Sequence, residues 1–238
     1  AARQAADAKA ALEQQQAALA DTQTALEAAL LDANSTLTAQ QAAAQAQAAD
    51  AKNVILFIGD GFSIAHRTAA RLLSKGVEDG KIKGRLAMDD MPYMALMTTQ
   101  GTDSIITDSA NAAHAYTTGH KSCVNALGVY CSRAANSLDH PKVETIAEIA
   151  KRQGLAVGAV TNSEIEDATP ASMAAHTRRR SDFNDIVKMF YDSKIDVLMG
   201  GGSPYFLPQS TPGSKRKDDV DYIAQFKNAG YAFATTKA

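Results

Sequence analysis

Asn53-Val54-Ile55-Leu56-Phe57-Ile58 is a continuous apolar run that stops at Gly59-Asp60-Gly61. A run of this length without polar alternation predicts a strand buried on both faces, and the glycines predict the turn that leaves it. Downstream, helical spacing over residues 64–74 is followed by a strand pattern at 94–99. Ala-rich residues 109–118 predict a helix, as does the amphipathic stretch 143–152. Residues 155–161 predict a buried strand, 183–192 a helix, and 196–199 a short strand ending in Gly200-Gly201-Gly202. Residues 219–228 predict a last helix and 231–235 a last strand. Alternating strands and helices predict an α/β fold with a mainly parallel sheet sandwiched by helices.

Upstream the texture is different. Residues 1–51 are dominated by Ala and Gln and hold no Gly, Pro or aromatic residue. These are strong helix formers. Leu12, Leu19 and Leu26 recur every seven residues, and Ala33 continues the stripe. The segment predicts an N-terminal α-helical arm with coiled-coil character, broken near residues 32–36 where Ser35 would cap a second helix; a frayed, low-complexity linker is the plainer reading. A homo-oligomer is the expectation that follows, because lone leucine stripes need a partner. The chain thus divides into an arm, 1–51, and a globular part, 52–238.

The net charge is −2, so no global basic field argues for nucleic acid. Residues 1–50 carry six acids and two bases, which leaves a small positive excess on the rest. No apolar run approaches the roughly 20 residues of a membrane helix. Cys123 and Cys131 are the only cysteines. They read either as a disulfide made in an oxidising compartment or as two unrelated thiols.

Three groups of polar residues fall where an α/β sheet gathers its chemistry, at strand ends and helix starts, and a run of three arginines stands apart from them. Asp108-Ser109 opens the helix 109–118, where the backbone N–H groups and helix dipole favour negative charge. The pair reads as a phosphate or phosphoserine site, or as a plain helix cap. Asp60 reads as a metal ligand or as the cap of the next helix. In Glu164-Ile165-Glu166-Asp167-Ala168-Thr169, Asp167 and Thr169 alternate, and a carboxylate with a hydroxyl suits magnesium; a solvated acidic loop is the plainer reading. Arg178-Arg179-Arg180 reads as a phosphate fork or as a solvated basic face.

Taken in order, these motifs resemble the alkaline phosphatase family. The likeness runs along about residues 52–205. Lys52–Gly61 (KNVILFIGDG) and Thr68–Arg71 (TAAR) come first. Thr107–Ala110 (TDSA), Thr118–Lys121 (TGHK) and Asn125–Val129 (NALGV) follow. Asp167–Ala171 (DATPA), His176, Arg180 and Asp196–Gly202 (DVLMGGG) complete it. The resemblance implies phosphate monoester hydrolysis with two Zn2+ and one Mg2+. It implies Ser109 as nucleophile and zinc-bound oxygen, Arg180 as phosphate grip, and Asp108 as the orienter of that arginine. It implies metal-ligand roles for Asp60, Asp167 and Thr169, and a periplasmic, cell-surface or secreted location.

Departures accompany the likeness. Gly61-Phe62-Ser63 stands where the family has Gly-Met-Gly, and Asn111 and His114 are unusual after the nucleophile. These two, with His66 and His120, read chiefly as packing residues. No histidine follows His176, so the family's remaining nitrogen ligands are expected from a C-terminal half outside this sequence, on the same or another chain. Alone, the chain is expected to be inactive. Two alternatives stand beside this one. The first is a structural or assembly protein that uses the arm and keeps an inactive phosphatase-like scaffold. The second is a phosphodiesterase of the same superfamily.

Overall fold

The computed structural model describes residues 9, 12, 14–32 and 51–236. The chain forms two units, residues 1–58 and 59–238. In the first, residues 14–32 form helix α1. Thr22 and Thr24 return their hydroxyls to the carbonyls of Ala18 and Ala20, and Gln23 donates to Glu27 one turn on. Leu12, Leu19, Leu26 and Leu30 are all exposed. The expected break at 32–36 and the cap at Ser35 lie outside the described residues.

The second unit begins with a turn, Phe62 N–H to the Gly59 carbonyl, in which Gly61 has φ +64°. Helix α2, Ile64–Lys75, follows. Its start is closed by His66, whose Nδ1 lies 2.9 Å from the Ser63 hydroxyl and accepts from the Ser63 N–H. Strands β1, Val77–Glu78, and β2, Lys81–Ile82, form an antiparallel hairpin. Asp79 and Gly80 both take positive φ, the requirement of its two-residue turn.

Helix α3 is Ser109–Thr118 and ends at Gly119, left-handed at φ +74°. A long loop carrying the Cys123–Cys131 disulfide leads to α4, Ile146–Arg152. Strand β3, Gly158–Glu164, pairs in parallel with β4, Val197–Gly201. Between them lie α5, Ala168–Ala171, and α6, Phe183–Asp192; α7, Tyr222–Asn228, comes last. The core packs Leu127, Val157, Ala159, Ile165, Ile186 and Phe190 with their neighbours. Phe190 has no exposed surface. Phe190→Ala should lower unfolding free energy by about 3–5 kcal/mol through lost burial and a residual cavity. Chemical denaturation of the full chain measures it, and a loss under about 1 kcal/mol would mean that the site collapses around the smaller side chain.

The α/β class expected from the sequence is the one found, and α3 and α6 occupy the predicted residues. Three predicted strands are not strands. Residues 53–58, 94–99 and 231–235 run without a ladder partner. Val54, Phe57, Met94 and Leu96 are 86–98% exposed. An apolar run has strand propensity, but a strand exists only where a neighbour takes its N–H and C=O groups. Among the described residues the parallel sheet therefore has two strands.

Candidate active site

Ser109 is the first residue of α3, and a reciprocal cap places it. Asp108 Oδ1 accepts from the Asn111 N–H at 3.0 Å, while Asn111 Oδ1 accepts from the Asp108 N–H at 2.9 Å. Asn111 also donates to the Thr99 carbonyl. Its side chain is thus fully engaged in the scaffold, in keeping with the packing reading.

Arg180 arrives from the other side. Residues 125–127 and 177–180 lie against each other through Leu127 N–H to Thr177 O and the reverse, with Arg180 N–H to Asn125 O. Asn125, at φ +69°, returns its own N–H to Asp108 Oδ1. From this ladder the guanidinium reaches three oxygens. One amino group donates to Ser109 Oγ at 2.7 Å and to Asp108 Oδ2 at 3.3 Å; the other donates to Asp167 Oδ1 at 2.7 Å. Burial works against the charge on Arg180, but Asp167 and then Asp108 outweigh it and hold its pKa above the ordinary arginine value.

Asp167 follows β3 by a turn and caps α5 through the Ala168 N–H. Two residues on, the Thr169 hydroxyl donates to Asp60 Oδ2 at 2.8 Å. The structure therefore joins Ser109, Arg180, Asp108 and Asp167 directly, and pairs Asp60 with Thr169 beside them. Of the triple arginine, only Arg180 enters this cluster. Arg178 donates to the Val124 carbonyl and Arg179 is exposed.

Neither Tyr116 nor Glu166 stands out individually in the sequence. Tyr116, two turns along α3, has its hydroxyl pKa pushed up to about 12 by burial and then by the Asp60 charge. An aromatic at the seventh residue from Ser109 is a signal of helical spacing toward the same face. Glu166 sits in the acidic stretch yet turns inward. It is fully buried, and neither carboxylate oxygen has a hydrogen-bond partner. Gly202, at φ +95°, packs so closely that a Cβ there would overlap the carboxylate.

Burial pushes the Glu166 carboxyl up to about 7 from its ordinary 4.5. The folded state then holds this proton more tightly than the unfolded one, so its contribution is full below pH 4.5 and is lost as pH rises toward 7. Glu166→Gln should flatten the fall in melting temperature across that window. An unchanged slope would remove Glu166 as its cause.

No metal-binding group of three or more His, Cys, Asp or Glu gathers among the described residues. The oxygen donors of Asp60, Thr169 and Asp167 suit a hard cation such as Mg2+ as a partial shell. Zinc's nitrogen ligands are not gathered here: among the described residues no histidine joins a group of three ligands, and four of the five are engaged elsewhere. His66 caps α2, and His120 meets Tyr130 edge-on. His140 accepts from the Ser132 N–H. His176 lies between the Gly128 carbonyl and Glu148. His114 is buried without a hydrogen-bond partner, and burial pushes its pKa down to about 4.

Comparison with known proteins converges on one family. A family model described as alkaline phosphatase matches residues 51–238. Alkaline phosphatase 4 of Bacillus subtilis (strain 168) is 35% identical over 208 residues, covering 84% of this chain and 41% of that protein. The tissue-nonspecific alkaline phosphatase isozyme of Homo sapiens is 33% identical over 200 residues, covering 76% and 37%. Among solved structures, a point mutant of the TAB5 alkaline phosphatase with Mg bound in its M3 site matches at TM-score 0.64 and 30% identity. That match covers 79% of this chain and 48% of the mutant chain. The alkaline phosphatase of a psychrophilic Shewanella matches at TM-score 0.60 and 27% identity, covering 75% and 40%. The chain spans about two fifths of the length of the curated relatives it matches.

Proposed function

Because the chain belongs to the alkaline phosphatase family, we propose that it supplies the nucleophile side of a phosphate monoester hydrolase. One observation carries the reading. A guanidinium bridges the Ser109 hydroxyl to two carboxylates at the start of a helix. A phosphoryl group bound there takes the place of Ser109 Oγ as the oxygen that Arg180 grips, and the α3 dipole adds to its stabilisation. Ser109 Oγ forms a bond to phosphorus as the ester P–O bond breaks and the alcohol leaves with a proton. Water then breaks the serine–phosphorus bond and releases inorganic phosphate. Asp108 and Asp167 hold Arg180 rigid, so little reorganisation is needed as charge shifts onto the phosphoryl oxygens.

A divalent cation at Asp60, Asp167 and Thr169 would add positive charge beside those oxygens. Under this proposal the nitrogen ligands for two zinc ions come from polypeptide other than residues 1–238. An oxidising location, periplasmic or extracellular, is supported by the Cys123–Cys131 bridge, whose Cα atoms lie 6.1 Å apart. No helix among the described residues is long and apolar enough to cross a membrane.

The test is to trap the phosphoenzyme. The intact assembly is quenched in acid during turnover of p-nitrophenyl phosphate, and its peptides are mapped by mass spectrometry. Phosphate is expected on Ser109 and is expected to vanish in Ser109→Ala. Label that survives the substitution refutes the nucleophile. That no histidine joins a metal-holding group among the described residues favours one second reading, an inactive scaffold. Absence of both metal and turnover in the intact assembly would select it.

A further inference from the structure

Four leucines of the arm, one of them just ahead of α1, define a heptad register. With Leu12, Leu19 and Leu26 at d, the a positions are Lys9, Gln16, Gln23 and Leu30. All four leucines of this seam stand 55–69% exposed. A 19-residue helix is about 28 Å long, and a lone helix of that size is marginal in water. Its apolar seam therefore needs an occupant.

Two features identify the occupant as a second copy in parallel. The first is the amide pair. A glutamine side chain is both donor and acceptor, so Gln16 and Gln23 can each pair with their own copies across a symmetric seam. Polar a positions of this kind set register at some cost in stability. Gln23 already gives one N–H to Glu27 and keeps its carbonyl oxygen and second N–H for the partner. The second is charge. In a parallel pair, each g position meets the e position five residues later on the other helix. That sets Thr22 against Glu27 and Gln15 against Ala20, with no like charges opposed. In an antiparallel pair that stacks Leu12 on Leu26, Glu13 and Glu27 would face each other. Like charges so placed are destabilising. Asp21 falls at f, on the outer surface. Lys9 ends the seam, because two ammonium groups at one a layer repel.

We propose that residues 12–30 pair with the same residues of a second copy as a parallel, in-register two-stranded coiled coil. The pairing is independent of the phosphatase reading. It is tested in the full chain, whose native cysteines are bridged and leave no free thiol. Leu12→Cys and Leu26→Cys, each alone, are oxidised and run on a denaturing gel without reductant. Both are expected to give a covalent dimer, and Asp21→Cys none. Adding Leu19→Asp to Leu12→Cys is expected to abolish its dimer.

The absence of dimers at both Leu12 and Leu26 overturns the proposal, even if the protein still sediments as a dimer through residues 59–238. Equal cross-linking at Asp21 overturns it too, as does cross-linking only in a mixture of the Leu12 and Leu26 variants, the antiparallel signature.

Discussion

Arg180→Ala is expected to slow phosphoryl transfer to Ser109 by about 10²- to 10³-fold, the range for losing a single preorganised donor to a developing oxyanion. The size follows from what the guanidinium touches. It is the cation bonded to Ser109 Oγ, and its pKa is held up by the two carboxylates that fix it. Removal takes away the positive charge that faces the phosphoryl oxygens. It also leaves Asp108 and Asp167, both partly shielded from solvent, without their shared counter-charge. Part of the effect should therefore appear as repulsion of the anionic substrate and a raised KM. Arg180→Lys is expected to restore little, because a point charge cannot reach Ser109 and Asp167 together as the fork does. Steady-state kinetics and phosphoserine yield in the intact assembly measure the effect. A variant within about threefold of the parent in kcat/KM would be less than 1 kcal/mol of transition-state loss, and would remove Arg180 from the reaction.

Gly128→Ala should cost about 3–5 kcal/mol of stability, as much as emptying the core at Phe190 and at the upper end for a point substitution. Gly128 has φ +57°, which alone costs an L-residue roughly 1–2 kcal/mol. An added Cβ would also overlap the Ala175 carbonyl and approach His176 Nδ1. The carbonyl is backbone and cannot swing aside. His176 cannot either, because its Nδ1 lies 2.6 Å from the Gly128 oxygen and its Nε2 2.9 Å from Glu148. The strain falls on the 125–127/177–180 ladder, which aims Arg180. The variant should lose phosphoenzyme formation together with melting temperature. A variant that keeps its melting temperature within about 2 °C would show that the loop relaxes at little cost.

Much of the candidate site was legible in the sequence. Ser109 at a helix start, and Asp167 with Thr169 two apart, are short-range patterns that a linear sequence displays. Family resemblance then joined Arg180 to them across 71 positions. Asp60 was legible for the same reason, as the residue that interrupts an apolar run between glycines. The inward turn of Glu166 was not legible. Three acids in six residues look alike in sequence, and their exposures diverge only because Gly202 and the end of β4 close over one of them. Nor were the strands at 53–58, 94–99 and 231–235 decidable from their apolar character. Burial and pairing belong to the neighbours, not to the run itself.

The sequence by itself determined the α/β class, the helices over 109–118 and 183–192, the heptad stripe of the arm and the family. Each rests on local periodicity, on capping residues, or on motifs in fixed order. Only the tertiary structure decided which oxygens Arg180 reaches at once, which histidines are committed to caps and loops, and which acid is buried. These are contacts between residues far apart in the chain, set by the antiparallel meeting of 125–127 with 177–180 and the parallel pairing of β3 with β4. No local pattern encodes them, because their energy exists only once both segments are in place.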